Sequence, residues 1–333
     1  MIVSWNTTNK CNMHCKHCYR DSGIKAADEL STNEGKKLID DIAASGFKIM
    51  IFSGGEPLMR EDIYELTEYA TSKSLRVVLG SNGTLITKSV ATSLKNSGVK
   101  GIGISLDSLN PKKHDVFRTY EGGWRDTVKG MRNCREAGLP FQVHTTVMKW
   151  NKDEILDITD FSVGMGAVAH HTFFIVPTGR GIDLEQQSLE PEEYESLLRN
   201  IMEKQKEVSI ELKPTCAPQF MRIAKMMGMS PRFGRGCIAG TNYCIISPTG
   251  DLQPCAYLNM PIGNVRQQSF SDLWSNNPTL IQLRSLDYKG KCGSCGFKKS
   301  CGGCRARAAF YNNGDYMSSE DGCLYSVVME EAL

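Results

Sequence analysis

No stretch of this 333-residue sequence approaches the roughly 18 consecutive apolar residues that span a bilayer. The first residues, MIVSWNTTNK, lack both the charged and the apolar region of a secretory signal. A cytoplasmic protein with no membrane contact is therefore expected. Charge of one sign is missing as well: 39 Lys+Arg stand against 37 Asp+Glu, for a formal net charge of +2. Without a basic patch or charge block, neither nucleic acid nor anionic lipid finds an electrostatic footprint. Low-complexity tracts and Pro- or Ser-rich linkers are absent too, so the two domains implied by the length should pack as one body. With 41% hydrophobic and 23% charged residues, the composition is that of an ordinary globular chain. Cysteine is what stands out. There are 13, an odd number, in a chain with no export signal, where thiols stay reduced and disulfides are disfavoured. Metal binding is the first expectation.

Spacing sorts these cysteines into two sites. Cys11, Cys15 and Cys18 form C-x3-C-x2-C after the first apolar stretch. Near the other end, Cys237, Cys244 and Cys255 precede the compact run Cys292-x2-Cys295-x5-Cys301-x2-Cys304, and Cys323 closes the series. Cys134 and Cys216 stand alone. Soft thiolates at such spacing select zinc or iron–sulfur clusters. A three-cysteine loop with no nearby fourth ligand fits zinc poorly, because structural zinc sites close four ligands. It suits a cubane with one open iron.

Between the two sites, short β-rich runs alternate with amphipathic segments. Strands are expected at Val3–Thr7, Ile49–Phe52, Arg76–Gly80, Gly101–Leu106, Phe141–Val147 and His171–Val176. Helices are expected at Thr32–Ser45, Asp62–Ser72, Lys88–Ser97, Trp124–Ala137 and Asp153–Val163, several closing on a glycine such as Gly46, Gly98 or Gly138. Six strands with crossover helices make an α/β fold with a parallel sheet, two units short of a full (β/α)8 barrel. Past a charged helix near Glu190–Glu207 the long periodic helices stop, and Gly, Pro and Cys become frequent. A boundary is placed at residue 208, giving domains 1–208 and 209–333.

The chemistry-bearing motifs all follow strands. Cys11-Asn-Met-His-Cys15-Lys-His-Cys18-Tyr19 follows the first strand, Ser53-Gly54-Gly55-Glu56-Pro57 the second, Gly80-Ser81-Asn82-Gly83-Thr84 the third, and Ser105-Leu106-Asp107-Ser108 the fourth. Each taken singly reads as a turn or a helix cap. Together they mark one face, the C-terminal end of a parallel sheet, where such folds place active sites.

On these motifs the chain resembles the radical S-adenosylmethionine (SAM) enzymes, whose signature is a C-x3-C-x2-C loop with an aromatic residue before the third cysteine. His17 fills that aromatic position. The resemblance implies a partial (β/α)6 barrel in which three thiolates hold a 4Fe-4S cluster whose fourth iron chelates SAM. One electron from the cluster then releases a 5′-deoxyadenosyl radical. It further implies that Gly54, Gly55 and Glu56, with Pro57 closing the motif, bind the methionine ammonium. Ser81, Asn82, Ser105 and Asp107 are implied for the ribose and carboxylate, and Tyr19 for a place near adenine. His144 and Thr146 on the fifth strand are candidates for the wall of the SAM or substrate site, although a strand histidine is more commonly a hydrogen-bonded core residue.

The C-terminal series resembles the SPASM domain that extends many radical SAM enzymes and carries two auxiliary 4Fe-4S clusters, three in all with the first. By matching order, one auxiliary cluster takes Cys237, Cys244, Cys255 and Cys304, the other Cys292, Cys295, Cys301 and Cys323. Cys301-Gly-Gly-Cys304 is one residue shorter than the usual gap, so this partition stays open, and a pair of zinc sites is the alternative. Cys134 reads as a small buried hydrophobe. Cys216, held between Pro214 and Pro218, reads as a catalytic residue, a cluster ligand, a ligand to a substrate iron or a proton donor, the alternative being a structural thiol.

Over nearly its whole length the sequence is similar to the tetrapyrrole branch of this group, the enzymes of heme d1 synthesis and of the siroheme-dependent heme pathway. The segments SWNTTNKCNMHCKHCYR, FFIVPTGRG, KPTCAPQ and AGTNYCIISPTGDLQPC carry that similarity. It implies radical removal of propionate or acetate side-chain carbon from an iron tetrapyrrole under anaerobic conditions, with ferredoxin or flavodoxin as electron donor. Arg118 and Arg180 could pair substrate carboxylates, and His170 or His171 could ligate the substrate iron. A peptide maturase that installs thioether or carbon–carbon links is the alternative, lowered because Cys11 leaves no room for a leader-binding domain ahead of it. An iron–sulfur electron carrier is a third reading, which the polar strand ends disfavour.

Overall fold

The computed structural model describes residues 1–232 and 234–325. Among them, one sheet contains nine strands: β1 Ile2–Asn6, β2 Ile49–Ser53, β3 Arg76–Ser81, β4 Ile102–Ser105, β5 Phe141–Val147, β6 Ala169–Phe174, β7 Glu211–Thr215, β8 Tyr243–Ile246 and β9 Leu252–Gln253. Their order is β7-β6-β5-β4-β3-β2-β1-β8-β9. Every neighbouring pair is parallel except β8 with β9. Parallel strands are covered on both faces, so their runs are apolar nearly throughout. β1 shows this, with Val3, Ser4, Trp5 and Asn6 all buried.

Helices cross from each strand to the next up to β8. The helix Thr32–Ala44 opens on a capping box between Ser31 and Glu34 and buries Leu38, Ile39 and Ile42. Helices Gly123–Ala137 and Ile155–Met165 end on Gly138 and Gly166 in the left-handed conformation, the stop anticipated from the sequence for the first of them. Trp5 is wholly buried, edge-on to Phe52 at 5.8 Å, with the Arg60 guanidinium 5.1 Å from its ring. A side chain of that size contributes about 3 kcal/mol on burial. Arg60 then donates to Thr7 O at 2.6 Å and Leu30 O at 2.9 Å, which fixes the direction of the chain leaving β1.

Three differences from the expected pattern have local causes. β6 begins two residues early and releases the chain at Phe174, ahead of Pro177, so Ile175 and Val176 lie outside the sheet. The helix Pro111–Arg118 was not anticipated: its sequence, PKKHDVFR, has few apolar residues, yet Asn110 caps it and Pro111 opens it. β7 contains Pro214, which reads against a strand. It forms the sheet edge, where a missing N–H costs no ladder bond. β7, β8 and β9 all lie beyond residue 208, so one sheet runs through both parts of the chain. No helix among the described residues is long and apolar enough to cross a membrane.

Candidate active site

Parallel strands deliver their C-terminal ends to one face, and the loop after β1 carries Cys11, Cys15 and Cys18 across it. All three thiols are free and half-buried. Cys11 Sγ accepts the Met13 N–H at 3.4 Å and Cys18 Sγ the Ser22 N–H at 3.5 Å. Cys15 Sγ accepts from Arg118 Nη1 at 3.9 Å. Arg180 braces the loop from outside, donating Nε to Cys15 O at 2.9 Å and Nη1 to Ser22 O at 2.9 Å, with Asp21 Oδ1 at 2.7 Å. Arg180 is thus engaged by the protein itself and does not stand ready for a substrate carboxylate. His17 lies flat on Phe117, ring centroids 4.3 Å apart, and burial pushes its pKa down to about 4, so the ring is neutral. Tyr19 donates its hydroxyl to Asn6 Oδ1 at 3.0 Å, and its ring is 5.4 Å from that of Tyr257 in the cysteine-rich part.

The GGEP turn after β2 is packed backbone to backbone against the strand leaving β1. Gly55 N donates to Thr8 O and Glu56 N to Lys10 O, each at 2.8 Å. A Cβ on Gly54 would lie 2.4 Å from Thr8 O, and one on Gly55 2.3 Å from Lys10 O. The glycines therefore admit the approach of the cysteine loop itself, one residue before Cys11. Glu56 is wholly buried, accepting from Ser81 Oγ at 2.9 Å, Asn82 N at 2.8 Å and Leu58 N at 3.3 Å. Burial raises its pKa to about 7. Its carboxylate thus joins the ends of β2 and β3, and Pro57 starts the short turn behind it.

Asn82 reaches the loop directly: its Nδ2 donates to Asn12 Oδ1 at 2.8 Å, and Asn12 Nδ2 donates to Thr84 Oγ1 at 2.9 Å. Asn12 and Thr84 both lie inside motifs read from the sequence, though neither is among its candidate site residues. Ser105 Oγ turns back to Ser81 O at 3.4 Å. Asp107, expected at the ribose or carboxylate, is fully buried and spoken for. Arg118 Nε donates to its Oδ2 at 2.7 Å and the Thr146 N–H to its Oδ1 at 2.8 Å. Asp107 positions Arg118, and Arg118 faces Cys15. The expectation that Arg118 binds a substrate carboxylate is corrected accordingly.

On β5 and β6, His144 stacks on His171 with centroids 5.2 Å apart. Gln142 Oε1 lies 3.2 Å from its Nε2, and Glu211 Oε1 lies 3.7 Å from His171 Nε2. His170 points the other way, wholly buried between Thr159 Oγ1 and Thr145 Oγ1, both at 2.9 Å. With both ring nitrogens bonded it is a core residue, which rules it out as a ligand to substrate iron.

The cysteine-rich part divides by geometry. Cys292, Cys295, Cys301 and Cys323 line one cavity with Arg222 and Glu320. Cys292 Sγ accepts the Glu320 N–H at 3.4 Å and Arg305 Nη2 at 3.7 Å. Cys255, Cys304 and Cys216 share an apolar cluster with Val176, Leu258 and Tyr257. Cys244, grouped with them by sequence order, lies instead in the main core, fully buried. Cys134 is buried in the helix Gly123–Ala137, as expected of a small hydrophobe. Arg307, which the sequence did not single out, ties this part to the sheet. It donates Nε to Glu320 Oε1 at 2.7 Å, Nη1 to Ile175 O at 3.2 Å and Nη2 to Tyr194 Oη at 3.0 Å.

Thiolate donors fit iron–sulfur clusters at both ends of the chain. No three Cys, His, Asp or Glu side chains among the described residues crowd one point closely enough to hold a single metal ion. A cubane instead takes one thiolate per iron and leaves its ligands apart. The Radical SAM superfamily matches residues 5–162, from β1 through most of the helix Ile155–Met165. An iron–sulfur cluster-binding domain, SPASM, matches residues 237–304. An AdoMet-dependent heme synthase from Methanosarcina barkeri is 42% identical over 97% of this chain and 96% of its own length.

This chain belongs to the radical SAM superfamily.

A second AdoMet-dependent heme synthase, from Nitratidesulfovibrio vulgaris, is 43% identical over 97% of this chain and 92% of its own. The crystal structure of Streptococcus suis SuiB bound to precursor peptide SuiA superposes with a TM-score of 0.79 at 18% identity, covering 97% of this chain and 76% of SuiB. That likeness shows a shared fold. As a radical SAM enzyme with a SPASM domain, the chain uses SAM and 4Fe-4S clusters.

Proposed function

We propose that this radical SAM enzyme removes side-chain carbon from an iron tetrapyrrole in heme synthesis, by oxidative decarboxylation of propionate or a related step. The observation that carries this reading is the 42% identity to a heme synthase across nearly the full length of both chains. It spans the cysteine loop, the strand ends and the SPASM segment together. When bound, the clusters and SAM supply the 5′-deoxyadenosyl radical that attacks the substrate.

The chain's own residues hold and orient that chemistry. Cys11, Cys15 and Cys18 hold the SAM-binding cluster, and two auxiliary clusters occupy the cysteine-rich part. The segment Gly54–Glu56 meets the methionine ammonium, whose positive charge favours the ionised form of Glu56 directly behind the turn. Glu56 accepts three hydrogen bonds, and a carboxylate has about four acceptor sites, which leaves one for the ligand. Ser81, Asn82 and Ser105 border the ribose and carboxylate, Tyr19 lies towards adenine, and His144 and Thr146 form the far wall. Arg118 offsets the negative charge of the thiolates from below. A ferredoxin or flavodoxin supplies the electron.

The test is anaerobic reconstitution with a low-potential reductant. Three cubanes predict about twelve iron and twelve sulfide per chain. Addition of SAM and iron coproporphyrin should yield 5′-deoxyadenosine, a shifted Soret band and a product lighter by the lost carbon. Absence of 5′-deoxyadenosine would contradict the radical assignment. Its formation without any change in iron coproporphyrin or didecarboxysiroheme would overturn the tetrapyrrole assignment and favour a peptide substrate.

A further inference from the structure

Cys216 sits where β7 ends, on the same face of the sheet as the Cys11 loop. Its backbone is in the left-handed region, with φ +56°. A non-glycine residue there costs on the order of 1 kcal/mol, and such strain persists only where the surroundings enforce it. Here Arg307 enforces it, by donating Nη2 to Cys216 O. The same guanidinium binds Glu320, and Glu320 accepts the Cys304 N–H. Cys216 and Cys304 are therefore held by one Arg307–Glu320 bracket. Around the Cys216 thiol stand those of Cys304, Cys255 and Cys237, near enough for each to repel its charged form. Cys216, Cys255 and Cys304 thus share one apolar cluster at the junction of the sheet and the cysteine-rich part, with Cys237 beside them.

Cys244 is excluded from this group by the alternation of a β-strand. On β8, Tyr243 turns to the face of β1 where its hydroxyl donates to Ser4 Oγ at 3.1 Å, and Cys255 and Tyr19 lie near it. The next residue must face the opposite way. Cys244 accordingly pairs in register with Val3 and is sealed in the main core among residues such as Leu280 and Leu283, with Arg284 as its charged neighbour. To reach Cys255 it would have to slip one position in the parallel ladder, which would turn Ile246 out of the same core as well.

We propose that Cys216, in place of Cys244, completes the ligand set of the first auxiliary cluster together with Cys237, Cys255 and Cys304. This rests on the reading that the cysteine-rich part carries two auxiliary clusters. One ligand then comes from the end of β7, outside the SPASM segment 237–304 that supplies the other three, and the cluster is bonded directly to the edge of the sheet that holds the active site.

The experiment starts from a chain with Cys11, Cys15 and Cys18 changed to Ala, which removes the SAM-binding cluster and should keep about eight iron and eight sulfide. A value well below eight would show that two auxiliary clusters do not form, and the proposal would fall with that reading. If eight are kept, adding Cys216→Ala should leave that cluster on three thiolates with one open iron, which shifts the g values of one of the two electron paramagnetic resonance signals of the reduced protein and lowers iron and sulfide from about eight towards four. Cys216→Ser should keep the cluster through its oxygen, with shifted g values. Cys244→Ala, and Cys244→Val as an apolar strand residue of similar size, should keep all eight with unchanged signals. Loss of four iron in both Cys244 variants while their far-ultraviolet circular dichroism stays native, or full iron content with both signals unchanged in Cys216→Ala, would overturn the assignment.

Discussion

The imidazole of His144 lies directly over Gly103 of the neighbouring strand: a Cβ on Gly103 would come within 2.1 Å of His144 Cε1. The glycine in β4 therefore makes the space that lets His144 lie flat against His171. Gly103→Ala should cost about 1–3 kcal/mol by overpacking, read as a lower urea midpoint. Adding His144→Ala removes the obstacle, so the double variant should be more stable than the sum of the two single effects predicts. Strict additivity would show that the two residues do not compete for this space.

A second glycine gives the opposite sign. Gly164 is exposed in the helix Ile155–Met165, and a Cβ there meets nothing within 4 Å. Gly164→Ala should stabilise the apoprotein by about 0.5–1 kcal/mol through the lower entropy of its unfolded chain. A fall in urea midpoint would contradict that.

The Arg118–Asp107 pair is the most deeply enclosed charge pair near the site, with side chains 6% and 0% exposed and 2.7 Å between Arg118 Nε and Asp107 Oδ2. Removing one member strands the other. Arg118→Met and Asp107→Leu should each cost about 3–5 kcal/mol, and the double variant should recover most of that loss. Because Arg118 Nη1 also approaches Cys15 Sγ, the double variant should remain short of iron at the Cys11–Cys18 loop even where its stability returns. Full iron content with recovered stability would show that Arg118 has no part in seating that loop.

Much of this architecture is legible from local pattern. β1 to β5 and their crossover helices come from apolar runs punctuated by glycine stops, and both depend on neighbours a few residues away. Cys11, Cys15 and Cys18 are equally local, since one short loop must present all three thiols. What escapes is set by tertiary partners. Asp107 looks like a site carboxylate until Arg118, a helix later, is seen to occupy it. Pro214 hides β7 because only the finished sheet shows that β7 lies at an edge. Cys244 follows Cys237 in the expected order of ligands, but the alternation of β8 turns it into the core. The Arg307–Glu320 bracket joins residues with no shared motif.

Acid sensitivity follows from His170. Burial lowers its pKa from the usual 6.5 to about 3, while Thr145 and Thr159 bond its two nitrogens. For a base whose folded pKa is depressed, the unfolded chain takes up the proton first. The neutral ring's contribution is therefore intact above about pH 6.5 and is lost as pH falls towards 3, by about 1.4 kcal/mol per pH unit. His17 and His114, both lowered to about 4 by burial, act in the same direction. The apoprotein should thus lose stability steeply between pH 6.5 and 5. His170→Gln removes one such group, so its urea midpoint should decline less over that interval than that of the unaltered chain, whatever its value at pH 7.5. Parallel declines in the two proteins would mean that His170 is already protonated in the folded state.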